Sequence, residues 1–195
     1  MRWNIVAAVA KKDLLEVRQN QSAWLAMLIL PLMLVVILPL IMGITANSAS
    51  AQITNDPDVE IFMAQMPASI SQYVEGLNAN QTMVVVMLGM LFAPMFLIMP
   101  LMFSSIIGAE SFAGERERKT LESLLYTPTS DSELFVGKIL AAAIPALLIT
   151  WVSFVVYILV LNGSTYGLMG RIWFPLPTWY PLIFWISPAL SLLGV

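Results

Sequence analysis

The densest run of residues able to do chemistry in this chain is Gly108–Lys138, GAESFAGERERKTLESLLYTPTSDSELFVGK. It carries ten charged side chains: Glu110, Glu115, Arg116, Glu117, Arg118, Lys119, Glu122, Asp131, Glu133 and Lys138. Catalysis is not what they offer. The sequence has no His and no Cys, which removes imidazole bases, thiol nucleophiles and the usual zinc ligand sets. Gly137-Lys138 is not a phosphate-binding loop. Ser132 stands where the first glycine of that motif belongs, and Ile139 follows the lysine where Ser or Thr is needed. What mixed acids and bases at this density can do is bind a partner.

The spacing within the run gives it a shape. Glu115 and Lys119 form an i,i+4 pair in the favourable order, and Arg118 and Glu122 a second in the weaker order. From Thr120 the pattern turns apolar, with Leu121, Leu124 and Leu125 on one helical face. Thr127-Pro128 ends that helix, because the residue before proline is pushed out of the α region. Ser130 and Glu133 then stand at capping-box spacing and start a new helix. A helix, a corner and a second helix are expected, with Glu110, Glu115, Arg116, Glu117, Lys119, Thr120, Leu121, Glu122, Leu125 and Pro128 as the contact surface. A solvated linker would account for the charge, but not for the leucine face, corner and capping box together.

The elements that hold this loop are apolar. Of 195 residues, 59% are hydrophobic and 11% charged, against about 25% charged in soluble domains. The mean hydropathy is +0.84. Four stretches lack any Asp, Glu, Lys or Arg: Ala23–Ile44, Thr82–Ile107, Ile139–Leu161 and Ile172–Val195, the last read as a span from Pro175. Each approaches the roughly 20 residues that cross the hydrocarbon as helix, and backbone polar groups in lipid must pair internally. The expected fold is therefore an all-α polytopic membrane protein in one domain, with four spans. Pro31, Pro39, Pro94, Pro100 and Pro145 should kink or break the spans locally. Residues 1–21 read as an amphipathic helix on the membrane surface, with Trp3, Val6, Ala10, Leu14 and Val17 at helical spacing. Residues 45–81 form a long outer loop, in which Ile61, Phe62, Met66, Ile70, Tyr73 and Val74 predict a short amphipathic element broken at Pro67.

Charge placement orients the chain. Arg2, Lys11, Lys12 and Arg18 precede the first span, the 45–81 loop has no Lys or Arg, and the 108–138 loop has four. Positive loops face the cytoplasm, so the amino terminus and the 108–138 loop belong there, and the expected location is the cell membrane. Tyr166, Trp173, Trp179 and Tyr180 are then expected at the outer interface. No charge lies inside a span, so the buried ionisable groups of ion-coupled carriers are lacking. Two methionine trios, Met83/Met87/Met90 and Met95/Met99/Met102, read as helix packing with a substrate-facing stripe as the alternative.

GERERKTLESLLYTPTSDSELFVGKIL resembles the signature loop of export-type ABC transporter permeases. The match lies at Glu115, Glu117, Thr120, Leu121, Glu122, Leu124, Leu125, Thr127, Pro128, Ser130, Glu133, Gly137 and Lys138, and departs at Lys119, where that family most often has glycine. The stretch KKDLLEVRQNQSAWLAMLILPLML is similar to the family's interfacial helix and first span. The resemblance implies a permease that moves a substrate outward, with no cofactor of its own. ATP and Mg would be handled by a separate cytoplasmic ATP-binding subunit that docks on the loop. It further implies a second permease subunit, six spans per subunit (so a further pair beyond Val195), lipid contacts and no nucleic-acid partner.

Overall fold

The computed structural model describes residues 2–19, 21–48, 57–117, 130–175 and 179–195. The described residues are helical with no strand. An amino-terminal helix, Trp3–Gln19, is followed by three helices long and apolar enough to cross a membrane: Met27–Ser48, Ala79–Ser111 and Asp131–Met169. These are the first, second and third spans. A shorter apolar helix, Trp179–Leu193, covers most of the expected fourth span but falls short of a full crossing. Between the first and second spans lie Pro57–Ala64 and Ala68–Val74, separated at Pro67 as the sequence predicts.

The second and third spans outrun their uncharged stretches at both ends, while the first is shifted, starting at Met27 and running on to Ser48. The second begins at Ala79, where the Asn78 side chain accepts from the Gln81 N–H at 2.9 Å and the Gln81 side chain accepts from the Asn78 N–H at 3.0 Å. That reciprocal box satisfies two otherwise orphaned donors.

The prolines act through two geometries. Pro39, Pro94 and Pro188 cannot donate to the carbonyls of Val35, Met90 and Phe184, four residues back. Those three residues lie in the π-helical segments Leu32–Ile37, Met87–Leu91 and Leu182–Ile186. A π turn reaches one residue further along for its donor, a geometry that accommodates a missing N–H; after Pro94 the Met95 N–H instead turns to the Phe92 carbonyl at 3.1 Å. Pro100 and Pro145 instead sit inside continuous α-helix.

The chain forms two compact units. One contains Met1–Pro31, Phe96–Ser153 and Tyr180–Val195, and the other Leu32–Met95 and Phe154–Trp179. The second unit is built on aromatic packing. Tyr157 stacks on Phe92 and Trp179, with ring centroids at 5.9 and 5.8 Å, and Trp179 also stacks on Phe154 at 6.0 Å. The Tyr157 hydroxyl donates to the Leu88 carbonyl at 2.6 Å, inside the π segment ahead of Pro94. Tyr157→Phe removes that donor from a buried carbonyl and should cost about 1–3 kcal/mol in thermal unfolding, with the ring stack kept.

Trp173 and Trp179 correct the sequence expectation. Both are buried, Trp173 donating its ring N–H to Thr165 Oγ1 at 2.9 Å, so they are packing residues and not interfacial ones. Tyr166 is exposed. The second methionine trio does not share one environment either, with Met99 fully buried while Met95 and Met102 are exposed. That is the pattern of ordinary helix packing.

Candidate functional site

The first unit carries both legs of the charged loop. One leg is the helix Ala93–Glu117, which includes Glu110 and, at its end, Glu115, Arg116 and Glu117. Lys119, Thr120, Leu121, Glu122, Leu125 and Pro128 lie outside the described residues. The other leg is the third span from Asp131, and its start is capped as its sequence predicts. Ser130 Oγ accepts from the Glu133 N–H at 3.3 Å, and Glu133 Oε2 accepts from the Ser130 N–H at 3.3 Å.

Glu133 has a second duty. Arg2 donates to it from its backbone N–H at 2.6 Å, from Nε at 3.2 Å and from Nη2 at 3.0 Å. Glu133 precedes Ile139, where the uncharged stretch begins, and Arg2 ties it to the chain's amino-terminal end.

Deeper in the same unit, three side chains from three helices meet. Lys138 Nζ donates to Ser111 Oγ at 2.8 Å and lies 3.4 Å from Asp13 Oδ2, while Ser111 Oγ donates to Asp13 Oδ2 at 2.8 Å. Lys12 Nζ stands 3.4 Å from the other Asp13 oxygen. The Lys138 and Asp13 side chains are only 2% and 1% exposed. Two charges can be held out of water like this only when paired and hydrogen-bonded. Gly137 makes the approach possible: a Cβ there would come within 2.8 Å of Val9 Cγ1 and 3.2 Å of the Val6 carbonyl oxygen. The amino-terminal helix thus lies directly against the backbone of the third span, with Asp13 beside Lys138.

The effect is mechanical. Ser111 ends the second span, Lys138 enters the third, and Asp13 belongs to the amino-terminal helix, so both legs of the loop are pinned to one another and to that helix. No group of side chains among the described residues could hold a metal ion. Two buried hydroxyls of the spans bond their own backbone, Ser104 the Leu101 carbonyl and Thr150 the Ala146 carbonyl, while Ser105 reaches the Gly194 carbonyl.

Residues 7–175 match the family of ABC-2 family transporter proteins, over most of the chain. The chain belongs to the ABC-2 transporter family. It is a multi-pass membrane protein and the permease subunit of an ABC transporter, a membrane component and not a catalytic one. Family membership implies that this permease works in a membrane complex with an ATP-binding subunit. No curated protein and no solved structure matches it.

In the permease, Glu133, Gly137 and Lys138 were legible as motif positions, and each is explained by a contact to the amino-terminal helix or to Arg2 just before it. Asp13 and Ser111 were not singled out from the sequence. The available signal was an acid on the face shared by Val6 and Val17 of an otherwise apolar helical stripe.

Proposed function

We propose that the chain is an export permease driven by a separate cytoplasmic ATPase, which closes on ATP and pushes on the loop around Glu115–Pro128. The observation that carries this reading is the buried Asp13–Ser111–Lys138 cluster, which binds both loop legs into one body. A push on a loop whose legs were free would be absorbed locally. A push on legs locked together and continuous with the second and third spans is passed into those helices, and opens a path outward. The same reading places the amino terminus in the cytoplasm, the protein in the cell membrane, and two permease subunits with two ATPase subunits in the working unit.

Glu122 and Leu125 are the residues to test. Glu122→Lys with Leu125→Asp reverses the charge and breaks the apolar face of the proposed contact. Detergent-extracted double variant should retain at least tenfold less ATP-binding subunit than the parent and lose ATP-dependent transport. Transport that continues with no ATPase bound would make the chain a stand-alone carrier and end the proposal.

A further inference from the structure

A groove of about 680 Å³ runs between the amino-terminal helix and the third span, and neither Asp13 nor Lys138 lines it. Its walls are apolar, with Val6, Ala10 and Leu14 on one side and Ile144 and Leu148 on the other. It continues into a second apolar hollow of about 300 Å³ that shares Met27 and Leu148. One charge lines it, Lys11, which is exposed and has no carboxylate partner among the described residues. Its neighbour Lys12 is by contrast engaged with Asp13 and Glu16.

A long apolar trough with one unneutralised ammonium at its side matches a single chemistry, an amphiphile with an acyl tail and an anionic head. From these features we infer that the groove is a binding site for an anionic phospholipid, with one acyl chain between Ala10 and Ile144 and the phosphate against Lys11. Membrane placement makes the supply of such a ligand unlimited, since the amino-terminal helix is of the kind that lies in the headgroup layer. Basic pockets between membrane helices on the cytoplasmic side take lipid headgroups, each Lys or Arg adding an attraction of about fivefold in affinity. Zwitterionic lipid gains the apolar contact alone. A bound tail would brace the helix whose Asp13, with Arg2 just before it, holds the loop legs, so the site bears on the permease's stability in a bilayer.

The test is native mass spectrometry of the permease, purified with its associated subunits and exposed to mixed micelles of phosphatidylglycerol and phosphatidylcholine in equal amounts. One phosphatidylglycerol per permease chain should be retained, about fivefold over phosphatidylcholine. Lys11→Gln should bring that ratio to about one. Ala10→Trp, which fills the trough, should abolish retention of both lipids while the protein keeps its helix content and its elution as a single peak. Equal retention of the two lipids by the parent, an unchanged ratio in Lys11→Gln, or undiminished retention in folded Ala10→Trp would each overturn the assignment. The lipid ratio is read in detergent and does not depend on an ATPase or on the direction of transport, so failure of the export reading would leave it standing.

Discussion

Lys138→Met is expected to lower the unfolding free energy of the permease in detergent by about 3–5 kcal/mol, the usual result of removing one partner from a buried ion pair. Methionine reproduces most of the lysine stem, so little of the loss is a cavity. What remains is Asp13, 1% exposed, with its opposite charge withdrawn. Ser111 at 2.8 Å and Lys12 at 3.4 Å still face that carboxylate, which places the expected loss at the lower end of the range. The decisive comparison is with both charges removed. Asp13→Leu with Lys138→Met leaves no buried charge, and apolar replacements of a buried pair are often neutral or stabilising. Ser111 then has neither its acceptor nor its donor, a penalty of about 1–3 kcal/mol. Adding Ser111→Ala should recover most of it. Thermal unfolding followed by tryptophan fluorescence reads all three variants in one detergent. A single variant no worse than the triple would mean that the two charges do not hold each other in the fold.

The same cluster shows where the sequence was readable and where it was not. Span interiors follow from composition, because a long uncharged apolar stretch in lipid has no alternative to helix. The capping box at Ser130 and Glu133 and the break at Pro67 are local, fixed by residues within three or four positions. The Asp13–Ser111 and Asp13–Lys138 contacts join residues 98 and 125 apart, and no periodicity reports such a distance. Periodicity at close range told only part of the story. Of the stripe Trp3, Val6, Ala10, Leu14 and Val17, Val6 and Val17 are buried against the protein while Trp3 is 66% and Leu14 38% exposed, and Asp13 is buried beside Val6 and Val17. An acid therefore takes a core position, where Lys138 pairs with it. The five prolines were expected to act alike, and the structure separates them: the α-helix gives way to π turns between Pro31 and Pro39 and ahead of Pro94, whereas Pro100 and Pro145 are carried within α-helix.

Gly137 is where the amino-terminal helix can be levered off without touching a charge. Alanine there gains about 1 kcal/mol of helix propensity over glycine. Against that stands a Cβ at 2.8 Å from Val9 Cγ1 and 3.2 Å from the Val6 carbonyl oxygen. Valine is stiff about χ1 and cannot swing its methyl away freely, and overpacking of this kind costs about 1–3 kcal/mol. Gly137→Ala should therefore be destabilising by about 0–2 kcal/mol. Gly137→Leu adds bulk that cannot be relieved by rotation, because part of the obstacle is backbone, and must move the helix bodily. Arg2 would leave Glu133 and Asp13 would leave Lys138, so its loss should equal or exceed that of Lys138→Met, about 3–5 kcal/mol. Val9→Ala separates packing from any general fault in the third span. Combined with Gly137→Ala it removes Cγ1 but keeps the Val9 Cβ at 2.9 Å, so it should recover only about 0.5 kcal/mol relative to the sum of the single changes, the lower end for residues in contact in a double-mutant cycle. Strict additivity would place the two helices further apart than the Asp13–Lys138 contact allows, and the rigid body proposed to carry the ATPase stroke would be lost with it.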